Sequence, residues 1–258
     1  NSDVCLTFDD ALQSQIKIAL PVLKKFNLKA FFFVQTSIFD SNNYMIEDFK
    51  IFRNRKFKNF TSFHKFFLSI LLKNNHIKNK LETFFSSRKK IIKDIKKKYS
   101  FYSFIEIKHR LIRDYFLSKT DYKKILLKMC KKKKYDIKMH SKKTYFKKKD
   151  IRKLIKDGHY IGLHTHNHPM DITKLNYEEQ KKELWLNYKL LKKITKKVPC
   201  CASHPSGKYD INSLKILKNL NIKLAFKDDM ITSSVKKNSF LNLEIPRANS
   251  SELIFRKK

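Results

Sequence analysis

One stretch of the sequence decides the fold and points to the chemistry: residues 158–169 read GHYIGLHTHNHP. Tyr160–Leu163 predicts a buried strand, and three histidines follow it within five residues. Neutral imidazole is a good ligand for zinc and similar metals. Because His164 and His168 are four residues apart, one helical turn would place both rings on the same side. The stretch therefore predicts two ligands of one metal ion.

Two other interpretations of these histidines stay open. The segment could be a polar loop in which the histidines are incidental. Alternatively, His164 and His166 could form the His-x-His pair of amidohydrolase-type barrels. Those enzymes carry that pair on their first strand, whereas here a pair of aspartates comes first in the chain. That order favours the pair His164 and His168.

The aspartate pair follows the first strand-like run of the chain. Residues 4–8 read VCLTF and predict a short buried strand, which Asp9 and Asp10 follow directly. Such a pair is also typical of a turn or a helix cap. Adjacent side chains at a strand end point in different directions, so one carboxylate can bind a metal while the other addresses a bound water. One carboxylate and two imidazoles leave a coordination position open, as in catalytic metal sites, and the second carboxylate is then a candidate general base.

Alternating strand and helix patterns around these motifs predict an α/β fold. The predicted strands are 4–8, 28–34, 160–163, 222–226 and 241–245, and the predicted helices are 14–26, 150–157, 176–195 and 210–219. Pro21 is expected to kink or shorten the first of these helices. All three glycines lie in two motif segments, at 158, 162 and 207, which indicates backbone positions that other residues cannot fill.

The segment 41–150 has a different character. It holds 33 Lys and Arg against nine Asp and Glu, which is +24 of the formal net charge of +36. Thr61 is predicted to cap a helix with an apolar face, and further amphipathic helices are predicted over 104–116 and 121–130. The sequence therefore predicts a discontinuous catalytic domain, 1–40 and 151–258, with a Lys-rich helical insertion over 41–150.

Composition excludes several classes of protein. The chain has 258 residues, of which 41% are hydrophobic, so it can form a real core despite its charge. It has no apolar run long enough for a membrane span, and its N-terminus has no signal-peptide pattern, which makes a cytoplasmic location the default unless the N-terminus is truncated. Its four cysteines do not form a disulfide framework.

The high positive charge raises the question of nucleic-acid binding. Lys, Asn, Ile and Phe are abundant throughout the chain, which is the uniform bias of an AT-rich coding background. The sequence has no zinc-finger spacing, no RNA-binding aromatic signature and no Gly-rich phosphate loop. A solvated basic face is therefore favoured over nucleic acid as a partner.

The motifs resemble those of a known family. Residues 7–10 (TFDD), 158–169 and 203–207 (SHPSG) look like the first three motifs of the NodB-type polysaccharide deacetylases, carbohydrate esterase family 4. Residues 243–247 (LEIPR) resemble a late motif of some members. The resemblance covers about 1–40 and 151–258, and the segment 41–150 lies outside it. It implies a distorted (β/α) barrel of the polysaccharide deacetylase type, with the site at the carboxyl ends of the strands.

The resemblance also implies roles for the motif residues. Asp9 would be the catalytic base, and Asp10, His164 and His168 would bind a divalent metal, usually Zn²⁺. The metal polarises the acetyl carbonyl, and its water attacks. The metal, together with the backbone N–H at Ser206 in the segment that ends at Gly207, would hold the resulting oxyanion.

Three positions depart from the family pattern. Ser203 stands where the third motif normally has an Arg that orients the base, and Ser206 stands where an aromatic residue is usual. Arg247 is a candidate replacement partner of Asp9, with a surface ion pair as the alternative. No His follows His204, although the last motif normally supplies one as general acid. His204 either takes the role of this acid or is a packing residue. In the second case another group or water protonates the leaving amine, or the activity is weak.

The sequence thus predicts a metal-dependent hydrolase that removes acetyl groups, N-acetyl foremost, from a sugar or polysaccharide. Its partner would be that acetylated carbohydrate, and its oligomeric state is unknown. Two alternatives stay open. One is a catalytically weakened carbohydrate-binding protein that retains the metal site, and the other is a basic RNA-binding protein.

Overall fold

A computed structural model describes residues 4–40, 46–73, 75–98, 100–228 and 240–250 of the chain. It divides into two compact units, one formed by residues 1–43 and 143–258 and the other by residues 44–142. The sequence placed the domain boundaries after residues 40 and 150.

Within the described residues the chain forms five strands and eleven α-helices. The strands are β1 (Leu6–Phe8), β2 (Ala30–Val34), β3 (Tyr160–Leu163), β4 (Cys201–Ser203) and β5 (Leu224–Phe226). The helices are α1 (Leu20–Lys25), α2 (Ile46–Lys56), α3 (Phe60–Leu71), α4 (Asn75–Ser86), α5 (Lys89–Lys98), α6 (Phe104–Leu111), α7 (Lys119–Lys132), α8 (Ile137–Ser141), α9 (Lys148–Lys156), α10 (Tyr177–Thr195) and α11 (Ile211–Asn219). Short π-helical or 3-10 segments are Gln15–Ala19, Thr36–Phe39, Ile112–Phe116, Ile172–Lys174, Pro205–Gly207 and Leu241–Leu243.

The first unit is built on one parallel sheet. Its strands pair in the order β1-β2-β3-β4-β5, and every pair is parallel. Parallel neighbours need a crossover connection, and helices supply most of these crossovers. The five strands curl into a half-barrel, which confirms the predicted α/β fold class.

The core of this unit is aromatic where β1 and β2 meet. Phe32 is fully buried, and its ring stacks on Phe8 with centroids 5.0 Å apart. Phe146 and His159 pack against the same ring. The apolar run of β2 is thus covered on both faces, as expected for an inner parallel strand.

Three sequence expectations need correction here. Residues 241–245 do not form a strand: Leu241–Leu243 is a 3-10 turn, and Ile245 makes only an isolated bridge to Phe226. β4 was not predicted, since three residues are too few to show a strand pattern. The predicted helix over 14–26 is not one regular α-helix: the π-helical turn Gln15–Ala19 changes to α1 at Leu20, directly before Pro21, so the helix type changes beside the proline without ending the helix.

The second unit is all-helical among its described residues and comprises α2 to α8. The most deeply buried residues of its main core are Phe52, Phe67, Ile112, Leu126 and Met129. Asn59, rather than Thr61, caps α3: its side chain accepts a hydrogen bond from the backbone N–H of Ser62, and the Ser62 side chain reciprocates. The cap lies two residues earlier than predicted because Thr61 is already inside the first turn.

No helix among the described residues has the length and apolar character that a membrane span requires.

Gly162 provides a test of the packing inside the sheet. A Cβ atom there would lie 2.6 Å from the Phe33 ring and 2.8 Å from the Cys201 carbonyl oxygen. We expect Gly162→Ala to lower the free energy of unfolding by about 1–3 kcal/mol, because neither β2 nor β4 can yield without moving the sheet. Urea unfolding measures this change. Lys215→Ala on the exposed face of α11 is the control, with an expected change within about 0.5 kcal/mol. Equal stability of both variants would contradict the packing described here.

Candidate active site

The carboxyl ends of three parallel strands bring the motif residues together. Asp9 and Asp10 follow β1, His164 follows β3, and Ser203 is the last residue of β4. In a parallel sheet all these ends lie at the same edge, which is where ligands bind in open α/β folds. Residues that are 194 positions apart in the chain therefore become neighbours, as Asp9 and Ser203 do.

Asp10, His164 and His168 form a compact triad. The Asp10 Oδ1 atom lies 3.4 Å from His164 Nε2 and 3.2 Å from His168 Nε2. Ligand atoms around a tetrahedral zinc, with bonds of about 2.0–2.1 Å, are about 3.3 Å apart. Among the described residues this is the one group of three His, Cys, Asp or Glu whose ligand atoms converge within 4.8 Å. The donor set thus fits a divalent metal of the zinc type.

Hydrogen bonding fixes which nitrogen of His164 is available. The buried Nδ1 atom lies 3.0 Å from the backbone oxygen of Ser203, which can only accept, so Nδ1 carries the proton. The other nitrogen, Nε2, faces the Asp10 carboxylate: it donates to Asp10 when the ring is protonated, and in the neutral ring its lone pair is available to a metal. This is the arrangement of a metal-ligating histidine, whose second nitrogen is held by a carbonyl or carboxylate.

The two histidines are not on one face of a helix, as their spacing had predicted. Residues 164–168 form a loop, in which Thr165 has φ 59° and His168 has φ 48°. Asp10 is also in the left-handed region, with φ 71°. Left-handed backbone costs a residue other than glycine roughly 1–2 kcal/mol, and such strain clusters at functional sites. The loop, not helical periodicity, turns the His168 ring toward Asp10.

A buried amide holds this loop against the sheet. The Asn187 side chain accepts a hydrogen bond from the His164 N–H (2.9 Å) and donates to the Val34 carbonyl (2.8 Å) and the Thr36 hydroxyl (3.0 Å). It therefore joins the ends of β2 and β3. Sequence reasoning missed Asn187. The sequence did contain a signal: Asn187 is a polar residue on the buried face of α10, between Leu184 and Leu191.

Arg247 is the partner of Asp9. Its two terminal nitrogens lie 2.9 and 2.8 Å from the two Asp9 oxygens, a bidentate arrangement. Further hydrogen bonds from the guanidinium to Thr7, Ser203 and the Lys227 backbone fix its position. Ser203 also donates from its hydroxyl to Asp9 at 3.2 Å. The guanidinium that the motif lacks at position 203 is thus supplied from position 247.

Asp9 and Asp10 are both held in the ionised form. Burial alone would raise the pKa of Asp9, but the positive charges of His164 and Arg247 outweigh it and lower the pKa. Burial likewise opposes ionisation of Asp10, and the hydrogen bonds from His164 and His168 bring its pKa far below the usual range. One carboxylate is therefore stabilised by an arginine and the other by imidazoles, which separates their chemical roles.

His166 belongs to a different set of contacts. Its Nδ1 atom lies 2.9 Å from the Thr36 hydroxyl, and its Nε2 atom lies 3.3 Å from an Asp40 oxygen. It does not join Asp10, so the alternative His164–His166 pair is not the arrangement that the structure shows.

His204 is buried and fully engaged. Its Nε2 atom donates to the Leu243 carbonyl at 2.8 Å, and its ring stacks on Tyr209 with centroids 4.2 Å apart. Burial lowers the pKa of His204 to about 4, although the bond to the Leu243 carbonyl favours the protonated form. These contacts are those of a packing residue rather than of a group that exchanges protons with a substrate.

Ser206 and Gly207 lie in the 3-10 turn that follows β4, at the same edge of the sheet. Ser206 is exposed and has φ 54°. Gly207 has φ 61°, and a Cβ there would lie only 1.9 Å from an Asp228 oxygen. This position accepts no side chain, which accounts for one of the three glycines.

Comparison with known proteins assigns the family. The family model described as polysaccharide deacetylase matches residues 1–113 and 114–225. The chain belongs to the polysaccharide deacetylase family. The match also runs through the helical unit, beyond the segments that carry the motifs. No curated protein sequence matches the chain.

Two solved structures of deacetylases share the fold. The Streptococcus pyogenes deacetylase PplD in complex with acetate is 17% identical, with a TM-score of 0.50 over 95% of this chain. The deacetylase domain of BpsB from Bordetella bronchiseptica is 11% identical, with a TM-score of 0.50 over 95% of this chain and 70% of that one. The chain spans 64% of the streptococcal protein's length.

Metal content tests the triad directly. We expect the purified chain to bind one Zn²⁺ and the Asp10→Ala, His164→Ala double variant to bind none, because three ligands cannot be reduced to one without losing affinity. His168→Ala, which leaves the buried His164 intact, should weaken binding by at least about tenfold.

Titration calorimetry with Zn²⁺ measures both variants, and His166→Ala is the matched control. Its imidazole lies two residues from each proposed ligand but contacts Thr36 and Asp40, so its removal should leave Zn²⁺ affinity unchanged. Equal losses in His166→Ala and His168→Ala would exclude the triad as the binding site.

Proposed function

We propose that the chain is a metal-dependent hydrolase that removes acetyl groups, N-acetyl foremost, from a sugar or polysaccharide. The observation that carries this proposal is the pairing of a three-ligand triad with a separate carboxylate, Asp9, held by Arg247. A site with an open coordination position beside an ionised base suits hydrolysis of an amide or ester. Family membership supports an acetylated carbohydrate as the substrate.

Asp10, His164 and His168 would hold the metal, and their donor atoms suit a metal of the zinc type. A bound divalent cation supplies Lewis-acid activation of the acyl oxygen and of water. In the proposed arrangement the turn at Ser206 and Gly207 lies at the same edge, and the backbone N–H of Ser206 would share in binding the developing oxyanion. The backbone N–H of Gly207 already donates to the His204 carbonyl at 3.0 Å, so the proposal gives it no such role.

Asp9 is the proposed general base. It takes the proton of the attacking water while the water oxygen bonds to the acyl carbon. Arg247 keeps Asp9 ionised and holds both of its oxygens in one orientation. When the C–N bond breaks, protonated Asp9 returns the proton to the leaving amine, which gives acetate and a free amino sugar. We assign this step to Asp9 because the contacts of His204 with Leu243 and Tyr209 occupy its ring.

Acetate release from N-acetylated glycan oligomers tests the activity. We expect Asp9→Asn to lower kcat by about 10²–10⁴-fold with Zn²⁺ still bound, because the amide cannot accept the proton. Asp157→Asn is the control: this aspartate pairs with Lys24 at the opposite edge of the sheet, before β3, and its replacement should not change the rate. Metal binding without acetate release from any acetylated glycan would favour the weakened carbohydrate-binding alternative.

Arg247→Gln tests the role of the guanidinium. We expect kcat/KM to fall about 10–100-fold, since the base loses its orientation. The sign of the pH effect follows from the pKa of Asp9, which Arg247 lowers: without the guanidinium this pKa rises, so the acidic limb of the kcat/KM profile moves to higher pH. Zn²⁺ affinity, measured on the same samples, should be nearly unchanged. A lower rate with an unshifted acidic limb would contradict the claim that Arg247 lowers the pKa of Asp9.

A further inference from the structure

The helical unit contains a cavity that the deacetylase site does not use. It has a volume of about 60 Å³ and is formed within residues 46–122. A single water needs only about 10–15 Å³, so a group the size of a phosphate fits. Its wall combines apolar and charged side chains, namely Ile46, Phe49, Lys50, Arg53, Phe60, Phe63, Glu106, His109, Arg110, Arg113 and Tyr122.

Three arginines converge on this cavity from two helical segments of the chain. Arg53 lies on α2, and Arg110 and Arg113 lie at the end of α6 and in the π-helical turn that continues it. All three are half-buried. Each of them lowers the pKa of His109, which burial foremost brings to about 3. The arginines therefore make the lining of the cavity positive, and the His109 imidazole in the same lining stays neutral.

Two of these arginines lack a carboxylate partner. Arg113 is paired with Asp114 in a bidentate contact, at 2.6 and 2.8 Å. Within the described part of the chain, by contrast, no carboxylate lies within ion-pair distance of Arg53 or Arg110. Arg53 donates to the Asn54 side chain at 3.1 Å, which leaves its charge uncompensated.

The neighbouring acidic groups are already engaged. Glu47 does not line the cavity, and it pairs with Lys50, which does. Glu106 lines the cavity, but its carboxylate accepts hydrogen bonds from the Ser103 N–H and hydroxyl as part of the cap of α6. A half-buried guanidinium without a counter-charge is costly, and an external anion would offset that cost.

Aromatic rings hold the two unpaired guanidinium groups in place. Arg53 lies over the Phe60 ring, 5.2 Å from its centroid, and Arg110 lies over the Tyr102 ring at 4.0 Å. Stacking of this kind restricts the side chain and leaves the N–H edge free for a ligand. The planar fork of arginine matches the oxygens of a phosphate in a bidentate manner, and two unpaired forks favour a dianion over a singly charged carboxylate.

We propose that this cavity binds a phosphate group, either as inorganic phosphate or as a phosphomonoester of a small ligand. Arg53 and Arg110 make the direct contacts, whereas Arg113 and Lys50 line the same cavity with their charges paired to Asp114 and Glu47. Such a site is independent of the acetyl-hydrolysing chemistry and gives the helical unit a function of its own. Most of the positive charge of the helical unit then lies on a solvated surface, and only these groups form a binding site.

Calorimetric titration of the full chain with inorganic phosphate, at constant ionic strength in chloride, tests the proposal. We expect saturable binding with one phosphate per chain. Arg53→Gln should weaken it by at least about tenfold, since one bidentate contact is lost. Arg110→Gln should do the same from a different helix, so the result does not depend on one variant folding. Far-UV circular dichroism checks that each variant retains its helices.

Arg55→Gln is the matched control, because Arg55 lies on the same helix but is exposed and contacts His140 instead of the cavity. It should change phosphate affinity by less than about twofold. A titration with glucose 6-phosphate forms the second arm, and binding of either compound that depends on Arg53 and Arg110 supports the site. Absence of saturable binding to both compounds, or equal losses in Arg53→Gln and Arg55→Gln, would overturn the proposal in favour of a diffuse basic surface.

Discussion

The parallel alignment of five strands is the constraint on which the candidate site depends. Parallel strands end at one edge, so the residues after β1, β3 and β4 meet although they are far apart in the chain. The side chain of Asn187, on α10, bonds to the ends of both β2 and β3 and fixes them relative to each other. The left-handed backbone at Asp10, Thr165 and His168 is strain that this framework can hold.

Two neighbouring carboxylates are stable at this edge because each has its own positive partner. Asp9 has the guanidinium of Arg247, and Asp10 has the imidazoles of His164 and His168. Two unpaired carboxylates so close together would repel, and one would take up a proton. The different partners leave one carboxylate suited to bind a cation and the other suited to accept a proton.

The sequence predicted the fold class and the residues of the triad, because strand-end motifs are local and carry their chemistry with them. It did not predict how the histidines converge: a spacing of four suggested a helical turn, whereas positive φ values at Thr165 and His168 form a loop. β4 was invisible because a three-residue strand has no periodicity. Asn187 was missed because its role depends on contacts with residues more than 20 positions away. Arg247 was found as a candidate, but only coordinates could give its bidentate geometry.

The position of Arg247 has a consequence for the order in which the site is completed during synthesis. His168 precedes Arg247 by 79 residues in the chain, so the triad has emerged from the ribosome well before the guanidinium. The ion pair closes a loop of 238 residues, among the longest connections that the fold contains. At about 5–20 residues per second, several seconds separate the two events. The carboxylate of Asp9 therefore stays without its guanidinium partner until the segment that carries Arg247 has been synthesised and has reached the sheet.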